Sequence, residues 1–473
     1  WLAWLLVPVL LGMRLWALDR LPGINGDETW LALQAKQLVY GEAFSLRTPT
    51  HMFINPLLFG TEALLLALFE PSGWLLRLPI ALWSVAGLLL FYVLHRRLWG
   101  DKTEALLTTV LLAAMPLHLA YSRLAWDPGF LLFAIALFWL PALHWLRGSG
   151  HRLDLALLIA GAVLLSWTHM TASLAWLTLG LGAWWLRKRS LPQWFGALAV
   201  ALGGLGVVAW LGKAHLDPYY LWQLPLERLQ QPFETLRMMA APGQMLSGVR
   251  AFSFLAGMAE TPLWWGVATA VTLLWLGLAL LLRRSTDVAD KAQALAWLWL
   301  PLPWWAASGL LGQGDLGKER YVVWLLPPAA LLLVRTLRLY VRQWQPLVVV
   351  LAAGLTLQSG GLLAALADSP WPDGQHRTFV SGPAEPKIAA ADVILGQAVT
   401  GEQLRVAASD WWLIQPLLYL LPQGSVVAEH VDFSRFSVQW LTPGQQAGAG
   451  CQVVADGGGR AVLQVCVQAA GKR

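Results

Sequence analysis

Apolar residues run through this chain in long stretches, and polar residues are confined to the gaps between them. A bilayer-spanning helix needs about 20 largely apolar residues. By that measure about eleven such stretches follow one another: residues 1–18, 77–95, 103–121, 130–147, 153–168, 171–186, 193–212, 262–282, 293–311, 321–334 and 345–367. The expected fold class is an α-helical polytopic membrane protein. The first stretch reads as a spanning helix and not a cleavable leader, because no small-residue cleavage site follows it.

The gaps set the sidedness, because Lys and Arg gather on the cytoplasmic side of short connections. With the N-terminus in the cytoplasm, every inner connection is basic: Arg96, Arg97 and Lys102; Arg147 and Arg152; Arg187 and Arg189; Arg283, Arg284 and Lys291; Arg335, Arg338 and Arg342. The short outer connections hold only Arg123, Lys318 and Arg320. Residues 19–76 and everything after about 367 then face outward. The apolar run 55–69 lies inside that first outer loop. If it spanned, every later basic connection would be inverted, so it is expected to lie in the interface or dip part-way. A second outer segment, 213–261, contains Pro218, Pro225, Pro232 and Pro242 and reads as short surface helices over the outer mouth.

Composition changes after residue 367. Residues 368–473 carry Pro and Gly clusters and short β-type runs at 424–429, 451–455 and 460–468. They are expected to form a small extracytoplasmic α/β domain of about 100 residues. The two cysteines, Cys451 and Cys466, flank an Asp-Gly-Gly-Gly turn at 456–459. A disulfide is permitted outside the cytoplasm, so a hairpin stapled by this pair is expected; the other reading is two free buried thiols. No internal repeat suggests a transporter of inverted halves.

Charged residues make up 13% of the chain, about half the share in soluble domains, which reinforces the membrane reading. The net charge of +6 does not point to nucleic acid, because the basic residues sit in short runs between apolar segments. No Walker loop, dinucleotide fingerprint or metalloprotease His pair is present, which argues against a nucleotide-driven pump.

Candidate chemistry lies at the outer ends of the spans. Asp27 and Glu28 follow Gly26 and open an amphipathic stretch closed by Gly41. Adjacent carboxylates there suit a general base or a divalent-metal site; equally, Asp27 would cap a helix over 28–40 and Glu28 would favour its positive end. Asp127 before Pro128 reads as a helix N-cap. Arg123, Lys318 and Arg320 oppose the positive-inside trend, so each either binds phosphate or snorkels to the interface, with Glu319 as a partner for the latter two. His169 fits a hydrogen-bonded turn better than a catalyst. His51, Asn55 and Tyr321 are weaker substrate-side candidates. Asp410 with Trp411 and Trp412 fits either packing or sugar stacking.

Taken in order, several of these residues resemble a family. Gly26-Asp27-Glu28 with Leu31-Ala32-Leu33-Gln34-Ala35 and Gly41 resembles the acidic first-loop motif of GT-C glycosyltransferases, in particular the protein O-mannosyltransferase and aminoarabinose (lipid A) transferase group. Asn55-Pro56-Leu57-Leu58, Arg77-Leu78-Pro79, Ser122-Arg123 with Asp127, and Arg320-Tyr321 with Pro327 resemble later motifs of the same group. Leu57 stands where the family has a second Pro, and the basic residue usual just before that motif is missing. The resemblance covers residues 1–340 and implies transfer of one sugar from a polyprenyl-phosphate donor to an acceptor hydroxyl on a protein, lipid or glycan, with inversion. It implies Asp27 as general base and Glu28 as a residue that orients the acceptor or joins Asp27 in holding a divalent cation. Arg123, Arg320 and Lys318 would hold the leaving phosphate, and Asp127 would orient Arg123 or the sugar. The expected location is a bacterial inner (cell) membrane, among its lipids, with the site facing the periplasm or exterior. The alternatives are an oligosaccharide ligase or polymerase of the same fold, a lipid-linked-sugar transporter, and a non-catalytic glycan-binding protein.

Overall fold

The computed structural model describes residues 2–48, 54–148, 151–168, 172, 174–186, 262–301, 323–368, 384–399, 403–429, 431, 434–441, 445–455 and 461–467. The membrane part contains α1 (Leu2–Leu15), α2 (Gly26–Val39), α3 (Pro56–Leu66), α4 (Gly73–Trp99), α5 (Lys102–Ala114), α6 (Pro116–Tyr121), α7 (Asp127–Leu146), α8 (Arg152–Thr168), α9 (Leu174–Trp185), α10 (Pro262–Leu282), α11 (Val288–Trp299), α12 (Leu326–Tyr340) and α13 (Trp344–Asp368). Among the described residues, four helical stretches are long and apolar enough to cross a membrane: Gly73–Trp99, Asp127–Leu146, Val323–Tyr340 and Trp344–Ala364. The chain is an integral membrane protein. Leu89, Val350 and Leu357 are 62%, 66% and 79% exposed on α4 and α13, a placement that suits acyl chains as neighbours. By contrast, α7 is buried almost throughout and packs against α4 and α8. A Cβ on Gly161 of α8 would come within 2.5 Å of the Phe138 backbone nitrogen, so glycine lets these two helices meet backbone to backbone.

Several expectations shift by specific local chemistry. The stretch 103–121 is not one helix: it breaks at Met115, because Pro116 has no N–H to continue α5 and instead opens α6. The run 55–69 becomes α3, an 11-residue helix about 17 Å long. That is too short to span and agrees with an interfacial placement. Arg335 and Arg338 do not lie in a connection but inside α12. The whole of 213–261, the whole of the seventh span, and His51, His169, Lys318, Glu319, Arg320 and Tyr321 lie outside the described residues.

The basic connections expected on the inner side converge at one end of the bundle. Arg97 bonds Asp154 (3.2 Å), Arg147 bonds Asp287 (3.3 Å), and Arg338 bonds Asp101 (3.2 Å) and Glu104. Arg335, stacked 4.5 Å over the Trp99 ring, grips Asp290 (2.7 Å) and Glu104 (3.1 Å). Of these groups Arg335, Glu104, Asp154 and Asp290 are buried; a buried charge left alone is costly, and each of the four has an opposite charge beside it. Arg77 stands at the far end of α4, 20 residues before Arg97, or about 30 Å away along the helix.

The C-terminal segment contributes α14 (Ala384–Gln397), β1 (Arg405–Ala408), α15 (Trp411–Leu420), β2 (Val426–Ala428), β3 (Phe436–Trp440), β4 (Cys451–Ala455) and β5 (Ala461–Val467). The strands form a five-stranded sheet in the order β2-β1-β3-β5-β4. β1 runs parallel to both its neighbours, and β3, β5 and β4 are antiparallel. Ile394, Val406, Leu413, Leu417, Phe436, Val438, Leu463 and Val465 make a core separate from that of the membrane helices. Three of the five strands coincide with runs read from the sequence; β1 and β3 do not. The expected disulfide is present: Cys451 and Cys466 occupy paired positions on β4 and β5 and are bonded, with a sequence separation of 15. Closing a loop of that size stabilises a fold by about 3 kcal/mol. Reducing the bond, or the Cys451→Ser/Cys466→Ser double variant, should therefore speed hydrogen exchange of the β4 and β5 amides; unchanged exchange would show that the staple contributes nothing.

Candidate active site

The local sequence fixes where α2 begins. Asn25 takes extended backbone angles and its side chain accepts the Asp27 amide N–H at 2.7 Å, while Glu28 Oε1 accepts the Asn25 amide N–H at 2.8 Å. This is a reciprocal capping box. The cap is therefore Asn25 and not Asp27, and the helix starts at Gly26, earlier than expected, because the Asn side chain satisfies the first-turn donors. Asp27 stands in that first turn, partly buried, where the helix dipole favours a carboxylate.

Glu28 is fully buried and its carboxylate is surrounded by N–H donors. Arg77 forks onto it, Nη2 to Oε1 at 2.6 Å and Nε to Oε2 at 3.1 Å, and the Ala125 amide N–H donates to Oε2 at 3.1 Å. Arg77 also donates to the carbonyls of Leu18, Pro22 and Gly23. One ion pair thus ties the first loop, the start of α4 and the α6–α7 connection into a single frame. N–H donors occupy both Glu28 oxygens, the same atoms that the expected acceptor-orienting or metal-binding role would use.

Arg123 is held in the same way. Its Nε donates to Leu21 O, Nη1 to Met13 O, and Nη2 to the carbonyls of Trp16, Ala17 and Leu21, at 2.5–3.2 Å. It closes the C-terminal end of α1, whose last carbonyls have no helical partner. Burial, with Arg77 and Arg14 nearby, brings its pKa down to about 9. Backbone carbonyls engage all three guanidinium nitrogens, the same atoms that the expected phosphate contact would use.

Asp127 is the first residue of α7, one place inside the Trp126 cap, and makes no capping bond itself. Its carboxylate takes the Asn55 amide N–H and lies within electrostatic reach of Asp27. Its Oδ1 is buried without a hydrogen-bond partner among the described residues. Asn55 caps α3, accepting from the Leu57 and Leu58 amides, and donates to Thr168 Oγ1 at 3.1 Å. It therefore fastens α3 to α8, and no direct substrate role is needed to account for it. Asp410 caps α15 through the Trp412 and Leu413 amides.

Sequence reasoning missed Glu62 of α3. It is 2% exposed, and both its oxygens lack a hydrogen-bond partner among the described residues. Burial first, then Glu28 and Asp127, raises its pKa well above the ordinary carboxylate value. Only its place as a lone acid in an apolar helix could have signalled it. The role of Arg77 was also unread, although Arg77-Leu78-Pro79 was recognised as a motif. Among the described residues no group of three or more His, Cys, Asp and Glu is arranged to hold a metal ion.

No protein-family profile matches the chain, and no curated protein does. Among solved structures it is similar to ArnT from Cupriavidus metallidurans bound to undecaprenyl phosphate, at 15% identity and a TM-score of 0.61, covering 99% of both chains. Apo ArnT from the same organism (15% identity, TM-score 0.49, 98% of this chain and 97% of that one) and the Archaeoglobus fulgidus oligosaccharyltransferase (13%, 0.48, 93% and 68%) are more distant likenesses. At a TM-score of 0.61 the chain shares the fold of the undecaprenyl phosphate-bound ArnT structure.

Proposed function

We propose that this protein is a glycosyltransferase that moves one sugar from a polyprenyl-phosphate carrier to an acceptor hydroxyl at the outer face of the membrane. The observation that carries the reading is Asp27: a partly buried carboxylate on a helix start locked by Asn25, Glu28 and Arg77, beside Asp127, in a chain with the fold of an undecaprenyl-phosphate-binding ArnT. Asp27 takes the proton of the acceptor hydroxyl as that oxygen bonds the anomeric carbon. The bond from that carbon to the phosphate oxygen breaks on the opposite side, so configuration inverts and the polyprenyl phosphate departs. Asp127 orients the sugar. Glu28 positions Asp27 and is not assigned as a metal ligand. Lys318 and Arg320, with Tyr321, are assigned to the leaving phosphate, whose developing charge a fixed cation stabilises. The inner membrane of a bacterium, with residues 19–76 and 368–473 in the periplasm, is the location that fits the basic inner connections.

The test is sugar transfer in liposomes, with purified protein, a panel of radiolabelled polyprenyl-phosphate sugars and a membrane extract as acceptor source. Label appearing in an acceptor supports the reading and identifies the sugar. Label carried across the bilayer still attached to its carrier would replace it with a transporter. Transfer only from carriers bearing several sugars would make the protein a ligase or polymerase.

A further inference from the structure

The C-terminal segment grips the helix that carries Asp27. α15 packs along α2. At one end, a Cβ added to Gly26 would lie 2.6 Å from Trp411 Cδ1 and 2.9 Å from Trp412 Cε3, so the indoles rest directly on the residue before Asp27. At the other end, Lys36 Nζ reaches the free carbonyls of the last turn of α15, donating to Leu418 O at 3.3 Å, Tyr419 O at 3.0 Å and Leu421 O at 2.7 Å. A cation at the negative end of a helix is favoured by its dipole and satisfies orphan carbonyls. Tyr419 OH donates to Ser72 O, at the cap of α4, at 3.3 Å. A second lysine approaches from α14: Lys387 is fully buried, donates to Ile24 O at 2.6 Å, and lies 5.7 Å from the Trp440 ring centre. Ile24 immediately precedes the Asn25 cap.

Isolated lysines are seldom buried, and burial here pulls Lys36 down to about 8 and Lys387 to about 7. Neither has a carboxylate within ion-pair distance among the described residues; backbone carbonyls of the opposite part of the chain receive both. That arrangement costs desolvation and makes sense as a device for holding the two parts in one register.

We infer that Lys36 and Lys387 are positioning residues: through α15 and the Ile24 carbonyl they hold the start of α2, and with it Asp27, against the C-terminal segment. The C-terminal segment is therefore part of the site's framework and not a detachable accessory. This rests on the reading of Asp27 as the base, so its test has two separate readouts. The first is hydrogen exchange over residues 24–40 in the full-length protein. Lys387→Met and Lys36→Met should each speed exchange there, and Lys36→Arg, which keeps donors and charge, should restore protection. The second is transfer kinetics: displacing a base by about 1 Å costs up to a hundred-fold, so kcat should fall about ten- to a hundred-fold with KM little changed. Wild-type exchange in both Met variants overturns the clamp whatever the activity. Faster exchange with undiminished kcat overturns the positioning role. If the wild type transfers no sugar, the function reading fails while the exchange result still decides the clamp. Should the Met variants fail to accumulate, Gly26→Ala, which wedges a single methyl under Trp411 with both lysines intact, must loosen residues 24–40; protection unchanged there overturns the proposal.

Discussion

Asp27→Asn should abolish sugar transfer while leaving the protein folded. Asparagine matches the carboxylate in shape and cannot take the acceptor proton, and loss of a positioned general base typically costs 10²–10⁴-fold. The cap that starts α2 belongs to Asn25 and the ion pair beneath it to Glu28 and Arg77, so neither depends on Asp27. Expression, detergent-resistant folding and binding of a polyprenyl-phosphate sugar should stay at wild-type levels while kcat collapses. Transfer retained within a few-fold would remove Asp27 as base and direct attention to Asp127, whose buried Oδ1 lacks a partner among the described residues.

Arg77→Met should behave oppositely, destroying stability before chemistry can be measured. It strips Glu28, at 0% exposure, of both its guanidinium contacts and releases the carbonyls of Leu18, Pro22 and Gly23. Breaking a buried ion pair from one side costs about 3–5 kcal/mol, because the remaining charge is stranded. The apparent Tm in detergent should drop sharply. In Arg77→Met/Glu28→Gln the stranded charge is removed and part of the loss should return. A double variant no more stable than the single one would mean that the Arg77–carbonyl bonds, and not the ion pair, hold the frame.

That Glu28 is sealed in an ion pair while Asp27 is only partly buried is not visible in the linear order of two adjacent acids. Asn25 stands three positions before Glu28, the spacing of a capping box, a signal that the reading of Asp27 as the cap does not use. The C-terminal sheet divides similarly. The cysteine-bearing hairpin showed itself through turn residues and the Cys pair. β1 and β3 are short strands of four and five residues whose partners lie far along the chain, so neither period nor turn chemistry marked them.

Helix-forming apolar runs and the basic connections between them were determined by the sequence itself, because membrane insertion responds to local hydrophobicity and local charge. Short-range signals of that kind need no knowledge of what packs where. Tertiary structure alone decided what each charge is for. Arg123 looks like a phosphate fork in isolation, but burial beside the backbone carbonyls of α1 and its following loop makes it, like Arg77, a brace, since a desolvated guanidinium takes whatever acceptors the fold supplies. Lys36 and Lys387 likewise acquire their carbonyl partners only when α14 and α15 dock on the start of α2. The positions of these donors relative to carbonyls hundreds of residues away are set by packing, and no local pattern in the chain encodes them.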